Sequence, residues 1–551
     1  MTSTILSLLS AAAIEEFYRA GHWRDETIYG VARRHAQNSP ARYAIRDHFR
    51  RLTIRQLVDA ADAFAAELSR RGVRQGQRVT FWMPDRIESV VALLACSRNG
   101  YVCCPSPHRN HTVAEVVALM ERMRTAAFIY QTSFGADATE RDIEAEIRDM
   151  GWLRQIYRLP PVGPDTGAPY AGLMSGAEPA PPPVTDPNHV VYLAFTSGST
   201  GRPKGVMHSD NTLLVTARAI SRDWHIGPES VVYSLSPFSH NLGLGSLLTS
   251  LVGGAEYVVH DLPRGASLVD RLTETGATYL VGVPTHAIDL LTELRNRGLS
   301  KLGRLTGFRV SGAASPAQVL TGLMEHGIEP QSGYGMTETN AHQYTLPGDD
   351  PTLVTGTCGR VCPGYELRAW DEDNPDVPLP PGQKGLIGGR GASLMLGYFD
   401  DQIATESSFN AHGWFMTGDL GSVDENGYLR LTGRKKEVII RGGHNINPAR
   451  IEEMAMKHED VERAAAVPVA DPRLGERVCL AIMFRSGAKA TAGQVLDRMA
   501  TSGLSKYEMP EFYLELDDIP LMSNGKIQKL DIVKWIQEGR VVPTAVRAHS
   551  A

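Results

Sequence analysis

The chain has 551 residues, 42% of them hydrophobic and 21% charged, enough to bury several cores. Length alone sets an expectation of roughly two to four structural domains. A formal net charge of −6 leaves no electrostatic footprint for nucleic acid or an anionic membrane, although local basic loops can still hold an anion.

The run from Met1 to Ile14 lacks the leading positive charges of a signal peptide and is too short to span a bilayer. An amphipathic helix lying on the first domain is expected there. No lipidation signal is found at either end. The six cysteines, Cys96, Cys103, Cys104, Cys358, Cys362 and Cys479, contain no C-x-x-C pair. Reduced, buried thiols in a cytoplasmic protein are the expectation.

Residues 52–71 carry Leu57, Ala60, Ala61, Phe64 and Leu68 at helical spacing. A strand is expected over 78–83 and a further helix over 87–98. This alternation predicts an α/β fold with largely parallel sheets. Residues 159–187 are crowded with Pro, Gly and Ala and predict an irregular surface connection. Apolar strands are expected over 190–195, 279–283 and 308–310. Residues 427–432 and 437–440 are expected to pair as two strands around a charged turn. A helix over 451–457, further strands and a last helix near 530–537 predict a small C-terminal domain of about 110 residues.

Directly after the 190–195 strand comes Thr196-Ser197-Gly198-Ser199-Thr200-Gly201-Arg202-Pro203-Lys204-Gly205. Glycines let a backbone turn its N–H groups inward, hydroxyls add donors, and Lys204 adds a positive charge, a set suited to polyphosphate. It is not the G-x-x-x-x-G-K-S/T loop. A flexible surface loop would share the Gly and Ser content, but not the strand in front or the lysine.

This stretch resembles the signature loop of the adenylate-forming superfamily, which includes acyl-CoA synthetases, peptide-synthetase adenylation domains and luciferases. Further motifs follow in the family's order, from Tyr192 to Lys526. Gln331-Ser332-Gly333-Tyr334-Gly335-Met336-Thr337-Glu338-Thr339 resembles the second core motif. The resemblance implies that Tyr334 packs on adenine, Thr337 bonds the α-phosphate and Glu338 helps hold Mg²⁺, a hard cation that takes carboxylate and phosphate oxygens. Ser311-Gly312-Ala313-Ala314 resembles the small-residue segment beside the adenine. Thr417-Gly418-Asp419-Leu420 resembles the ribose motif, with Arg434 adding a contact near the ribose and α-phosphate.

The resemblance also implies a hinge at Lys436, dividing a 1–435 N-terminal adenylation domain from a mobile 436–551 domain. The implied fold is a large N-terminal domain of α/β subdomains with a β-barrel-like subdomain, and a small α+β C-terminal domain. Lys526 would enter the site for adenylation and stabilise charge on the α-phosphate and pyrophosphate. In a second pose Gly442 and Gly443 would line a tunnel for the thiol.

The implied substrates are ATP, coenzyme A and a small carboxylic acid. Pro237-Phe238-Ser239-His240-Asn241-Leu242 resembles the motif bearing a gate residue, His240, near the acid's carboxylate. Asn241 resembles the residue that recognises a ring hydroxyl in aryl-acid adenylating enzymes, although a buried Asn can also simply bond backbone groups. The 21–27 segment resembles that branch and also cyclohexanecarboxylate–CoA ligases. The form of the phosphate loop and the segment 442–448 resemble CoA ligases, with His444 departing from the common Glu. Gly312, Gly333 and Met336 are expected to leave room for a compact ring. A cyclic acid is therefore expected, cyclohexanecarboxylate first. A stand-alone aryl-acid ligase loading a carrier protein and a medium-chain fatty acid–CoA ligase stay open, as do monomer and homodimer.

Overall fold

A computed structural model describes residues 9–105, 108–173, 180–196, 203–263, 265–435, 437–441, 444–501, 504–505, 507–522 and 525–546. Two large mixed sheets form the N-terminal region. One runs in the order Gly397–Tyr398, Lys204–Ser209, Val190–Thr196, Val102–Cys104, Arg78–Trp82, Ala127–Gln131, Gln155–Leu159. The other has nine strands, with Glu329–Met336, Gly307–Ser311, Tyr279–Gly282, Val231–Ser234 and Glu256–Val258 as neighbouring parallel strands. Val231–Ser234, Tyr279–Gly282 and Gly307–Ser311 are buried at every position. Such strands have helices or sheets on both faces, which is why they read as apolar runs rather than alternating patterns.

Helices fill the space between the sheets. Asp210–Asp223 touches strands of both. Ile87–Asn99 is buried along its whole length and ends at Gly100, whose φ of 70° permits the left-handed stop. The amphipathic Ile54–Arg70 begins with a capping box between Thr53 and Gln56. Glu88, at the start of the buried helix, accepts from Arg50 Nη1 at 2.6 Å and from Arg86 Nε at 2.8 Å. These partners allow a carboxylate to sit in the core.

The N-terminal helix is Ala11–Arg19. It packs Ile14, Phe17 and Tyr18 around Trp23, Val215 and Ala392, so it shares only residues 11–14 with the run expected to be helical, of which 1–8 lie outside the described residues. Five cysteines are buried, Cys358 is half-buried, and all six are free thiols.

The barrel-like expectation corresponds to an antiparallel four-stranded sheet, Tyr365–Trp370, Gly385–Gly391, Phe415–Val423 and Leu429–Arg434. One strand expectation fails. Leu429–Arg434 pairs with Phe415–Val423, while Ile439–Arg441 pairs with His444–Ile446 and Gly475–Phe484. The charged turn joins two sheets rather than one hairpin: Leu429–Arg434 is the edge of the N-terminal antiparallel sheet, and Ile439–Arg441 belongs to the C-terminal one. The smaller C-terminal region is built on Val461–Asp471 and Gly475–Phe484, with helices Pro448–Met456, Ala492–Thr501 and Lys529–Gln537. It is tied to the N-terminal region by Arg463 Nη2 on Asp289 at 2.6 Å and by a shared core.

Candidate active site

The strands Val190–Thr196 and Lys204–Ser209 are antiparallel, with Thr196 opposite Lys204, so they deliver both ends of the Gly/Ser/Thr loop to one place. Ser197, Gly198, Ser199, Thr200 and Gly201 lie outside the described residues. The Lys204 ammonium is 4.7 Å from the centroid of the Tyr398 ring. The Tyr398 hydroxyl donates to Glu338 Oε1 at 2.8 Å. Burial raises the Glu338 pKa above the ordinary carboxylate range, opposed by the Tyr398 hydrogen bond and the charges of Lys204 and Arg434. Lys204, the Gly397–Tyr398 strand and the second motif thus meet at one carboxylate.

Backbone ties fix the second motif. The ring of His208 donates from Nε2 to the Thr337 carbonyl at 2.7 Å. Asn241, the first residue of the helix Asn241–Gly253, donates from Nδ2 to the Met336 carbonyl at 3.1 Å. Tyr334 is buried and its hydroxyl donates to Asp419 Oδ2 at 2.5 Å. Arg434 Nε donates to Asp419 Oδ1 at 2.8 Å. Asp419 and Arg434 are direct partners in the antiparallel register, which explains their separation in sequence. Burial raises the Asp419 pKa while Arg434 and Tyr334 pull it down.

Lys526 follows a turn closed by the Gly525 N–H on the Met522 carbonyl at 2.9 Å. Gly525 has a φ of 80°, and its carbonyl accepts from Thr285 Oγ1 of the N-terminal region at 2.6 Å. A Cβ placed on Gly312 would lie 3.0 Å from Lys526 Cε. The lysine therefore reaches the end of the Gly307–Ser311 strand. Burial lowers its pKa, as does the charge of Arg434, while Asp419 and Glu437 raise it.

His240 caps this end of the site, preceding the Asn241 helix. Its ring stacks on His108 with centroids 4.3 Å apart and planes 13° from parallel. Burial lowers its pKa to about 4, aided by Lys526 and His111, so the imidazole is neutral at pH 7. His108 bonds Ser239 Oγ through Nδ1 at 2.9 Å and is lowered further, to about 2, by burial and its histidine neighbours.

Ala313 and Ala314 are exposed where the strand ends. Neither ring-accommodating glycine opens onto empty space. The room at Gly312 holds Lys526, and a Cβ on Gly333 would lie 3.0 Å from Arg309 Nη2. Lys436, Gly442 and Gly443 lie outside the described residues. Sequence reasoning missed His108, His111 and Tyr398. His108 and His111 stand on a connection and Tyr398 ends a two-residue strand, none with a periodic pattern, and only the pairing of distant segments brings them to the site.

The arrangement joins the strand ends that flank the Gly/Ser/Thr loop, the half-buried Glu338 carboxylate, the Asp419–Arg434 pair and a lysine reaching in from a second, smaller domain. Fold and site define an AMP-forming acid–thiol ligase. The chain belongs to the AMP-binding enzyme family, which matches residues 32–399, with the AMP-binding enzyme C-terminal domain matching 450–526.

It is similar to the medium-chain fatty-acid–CoA ligase of Escherichia coli (strain K12), 28% identical over 94% of this chain and 92% of the relative. It is 30% identical to a methyl-dioxo-octahydroindenyl-propanoyl:CoA ligase of Rhodococcus jostii (strain RHA1), over 88% of this chain and 94% of the relative. Among solved structures, ATP-bound MatB from Rhodopseudomonas palustris matches with a TM-score of 0.81 at 27% identity, covering 93% of this chain and 100% of that one. ATP and CoA are substrates of this family of ligases. No helix among the described residues is long and apolar enough to cross a membrane.

Proposed function

We propose that the chain converts a cyclic carboxylic acid, alicyclic or aromatic, into its CoA thioester through an acyl-adenylate, with cyclohexanecarboxylate the first candidate. The observation that carries the reading is Lys526 lying against Gly312, in a site where Glu338, Asp419 and Arg434 converge. The flat face of His240, backed by His108, supports a ring near the carboxylate. The Rhodococcus relative, named for a fused-ring propanoate, points the same way. The Escherichia coli relative favours a medium-chain fatty acid as the second reading.

In the first step a carboxylate oxygen attacks the α-phosphorus of ATP. The bond from that phosphorus to the bridging oxygen breaks, and pyrophosphate leaves with the electron pair. Lys526 and Arg434 stabilise charge on the phosphoryl oxygens, and Thr337 orients the α-phosphate. This is positioning and electrostatics, with no covalent bond to the enzyme. Neutral His240 walls the carboxylate without trapping it in an ion pair. Asp419 accepts the ribose hydroxyls, and Tyr334 lies along the adenine.

In the second step the CoA thiolate attacks the acyl carbon, the bond to the AMP oxygen breaks, and AMP leaves. Rotation of the 436–551 domain about Lys436 would withdraw Lys526 and bring Gly442 and Gly443 to the site. Magnesium fits the residues present. Glu338 is half-buried and makes no ion pair with a cationic side chain among the described residues, and Mg²⁺ is commonly held by one or two carboxylates and substrate phosphates. When bound, the ion would neutralise phosphate charge. A cytoplasmic location suits six free thiols.

The test is product mass spectrometry with MgATP, CoA and a panel of cyclohexanecarboxylate, benzoate, salicylate, dihydroxybenzoate and octanoate. A cyclic acyl-CoA as the best product supports the reading. Octanoyl-CoA as the best product selects the medium-chain reading. Acyl-adenylate without acyl-CoA selects an aryl-acid ligase that loads a carrier protein.

A further inference from the structure

Arg309 lies mid-strand in Gly307–Ser311 and is 3% exposed. Its Nη1 donates to Gln331 Oε1 at 2.6 Å, an oxygen that also accepts the Tyr279 hydroxyl at 2.7 Å. Nε and Nη2 of Arg309 have no hydrogen-bond partner among the described residues, and neither does Gln331 Nε2. The titratable groups acting on the guanidinium are the phenols of Tyr279 and Tyr344 and the Cys362 thiol, none of them a carboxylate. A guanidinium stays protonated in a protein, so this is a buried cation with two nitrogens unmatched and no carboxylate partner among the described residues. Buried polar groups are ordinarily satisfied, and exceptions mark places where something else supplies the acceptor.

The unmatched Nη2 lies beside Gly333 of the second motif. It lies 3.0 Å from where a Cβ of Gly333 would be. Gly333 is the register partner of Ser311, whose hydroxyl donates to the Gly333 carbonyl at 2.8 Å. The next residue is Gly312, against which Lys526 lies. Two residues, Val310 and Ser311, lie between Arg309 and Gly312, so the backbone positions that carry the guanidinium and meet the lysine are roughly 10 Å apart at one end of the sheet. A six-membered ring bearing groups on opposite carbons can span such an interval.

We propose that Arg309, with Gln331, reads an oxygen acceptor at the end of the acid remote from the carboxyl that is adenylated. The inference rests on the ligase reading above and narrows its acid to a bifunctional one, bearing a distal carbonyl or a second carboxylate. Arg309 is then a specificity-determining residue, since a donor pair built for an acceptor rejects analogues that lack it.

The test measures kcat/KM for CoA-thioester formation with acids crossed by skeleton and by distal group. They are cyclohexanecarboxylate, 4-oxocyclohexanecarboxylate, cyclohexane-1,4-dicarboxylate, octanoate and octanedioate. The full-length protein is expected to favour the acceptor-bearing member of each skeleton by about tenfold or more. The oxo acid against the diacid tells carbonyl from carboxylate. R309M is expected to collapse the ratio towards one, and R309K to restore part of it, which a merely structural role would not do.

Equal or better use of the plain acids by the unmodified protein overturns the inference, as it would if ordered water alone satisfied Arg309, and needs no variant to fold. Preference for octanedioate over every ring acid keeps the role of Arg309 and rejects the cyclic-acid reading. Preference for plain cyclohexanecarboxylate does the reverse. No thioester from any acid rejects both.

Discussion

Lys526 lies across Gly312, its Cε 3.0 Å from where a Cβ on that residue would stand. Gly312 has a φ of 91°, so the position is doubly reserved for glycine, by conformation and by the lysine that crosses it. Gly312→Ala is expected to push Lys526 off its place and slow acyl-adenylate formation, measured by pyrophosphate exchange. An unchanged exchange rate would mean that the contact has no part in adenylation.

Lys526→Ala removes the cation itself. Adenylation should fall on the order of 10²–10³-fold, the size seen when one preorganised charge-stabilising donor is lost. Thioester formation from supplied acyl-adenylate and CoA should be largely kept. Equal loss of both half-reactions would contradict a lysine that serves only one of them.

Burial holds the Lys526 pKa below the ordinary lysine value, aided by Arg434. The protonated form stabilises the developing charge, so adenylation should fall as pH rises through this lowered pKa. The alkaline limb therefore begins below the normal range for lysine, near 10.4 on the usual scale. In Lys526→Arg the limb should move upwards or vanish. An identical limb in that variant would assign it to another group.

The Asn241 amide is committed to the Met336 carbonyl. Asn241→Ala should cost about 1 kcal/mol of stability and loosen the second motif, while leaving the salicylate to benzoate ratio of kcat/KM unchanged. A shift in that ratio of about tenfold would instead make Asn241 a reader of the ring hydroxyl.

Glu88 is fully buried, which by itself raises a carboxyl pKa, but the hydrogen bonds and charges of Arg50 and Arg86 prevail and hold it at about 2 against an ordinary 4.5. A depressed pKa stabilises the fold above the unfolded value. This contribution is complete above pH 4.5 and is lost as pH falls towards about 2. Glu88→Gln leaves buried Arg86 without its carboxylate and Arg50 with Asp47 alone, and should cost about 3 kcal/mol or more at pH 7, with a smaller penalty at pH 3. Urea unfolding at the two pH values checks both statements. A penalty independent of pH would contradict the ion network.

The parallel core was legible because strands buried on both faces read as apolar runs, as in Tyr279–Gly282 and Gly307–Ser311. The separation of Asp419 and Arg434 was legible as a motif and is explained by a single antiparallel register. The false hairpin at 427–440 shows the limit. A charged turn between two short strands carries no information about which sheet each joins. Tyr398 and His108 were invisible for a related reason. Each meets the site through residues far away in the chain, Tyr398 through Glu338 and Lys204 and His108 through His240 and Ser239, and no periodicity encodes such contacts. Arg309 reads in sequence as one more strand residue, and only its burial with two nitrogens unmatched marks it out.

The most direct test of the central claim follows AMP, pyrophosphate and acyl-CoA by mass spectrometry in one reaction with MgATP, CoA and the acid panel. The expected result is stoichiometric AMP, pyrophosphate and a cyclic acyl-CoA, with none of the three formed when the acid is left out. Acid-dependent AMP and pyrophosphate with no acyl-CoA from any acid would contradict CoA as the acyl acceptor.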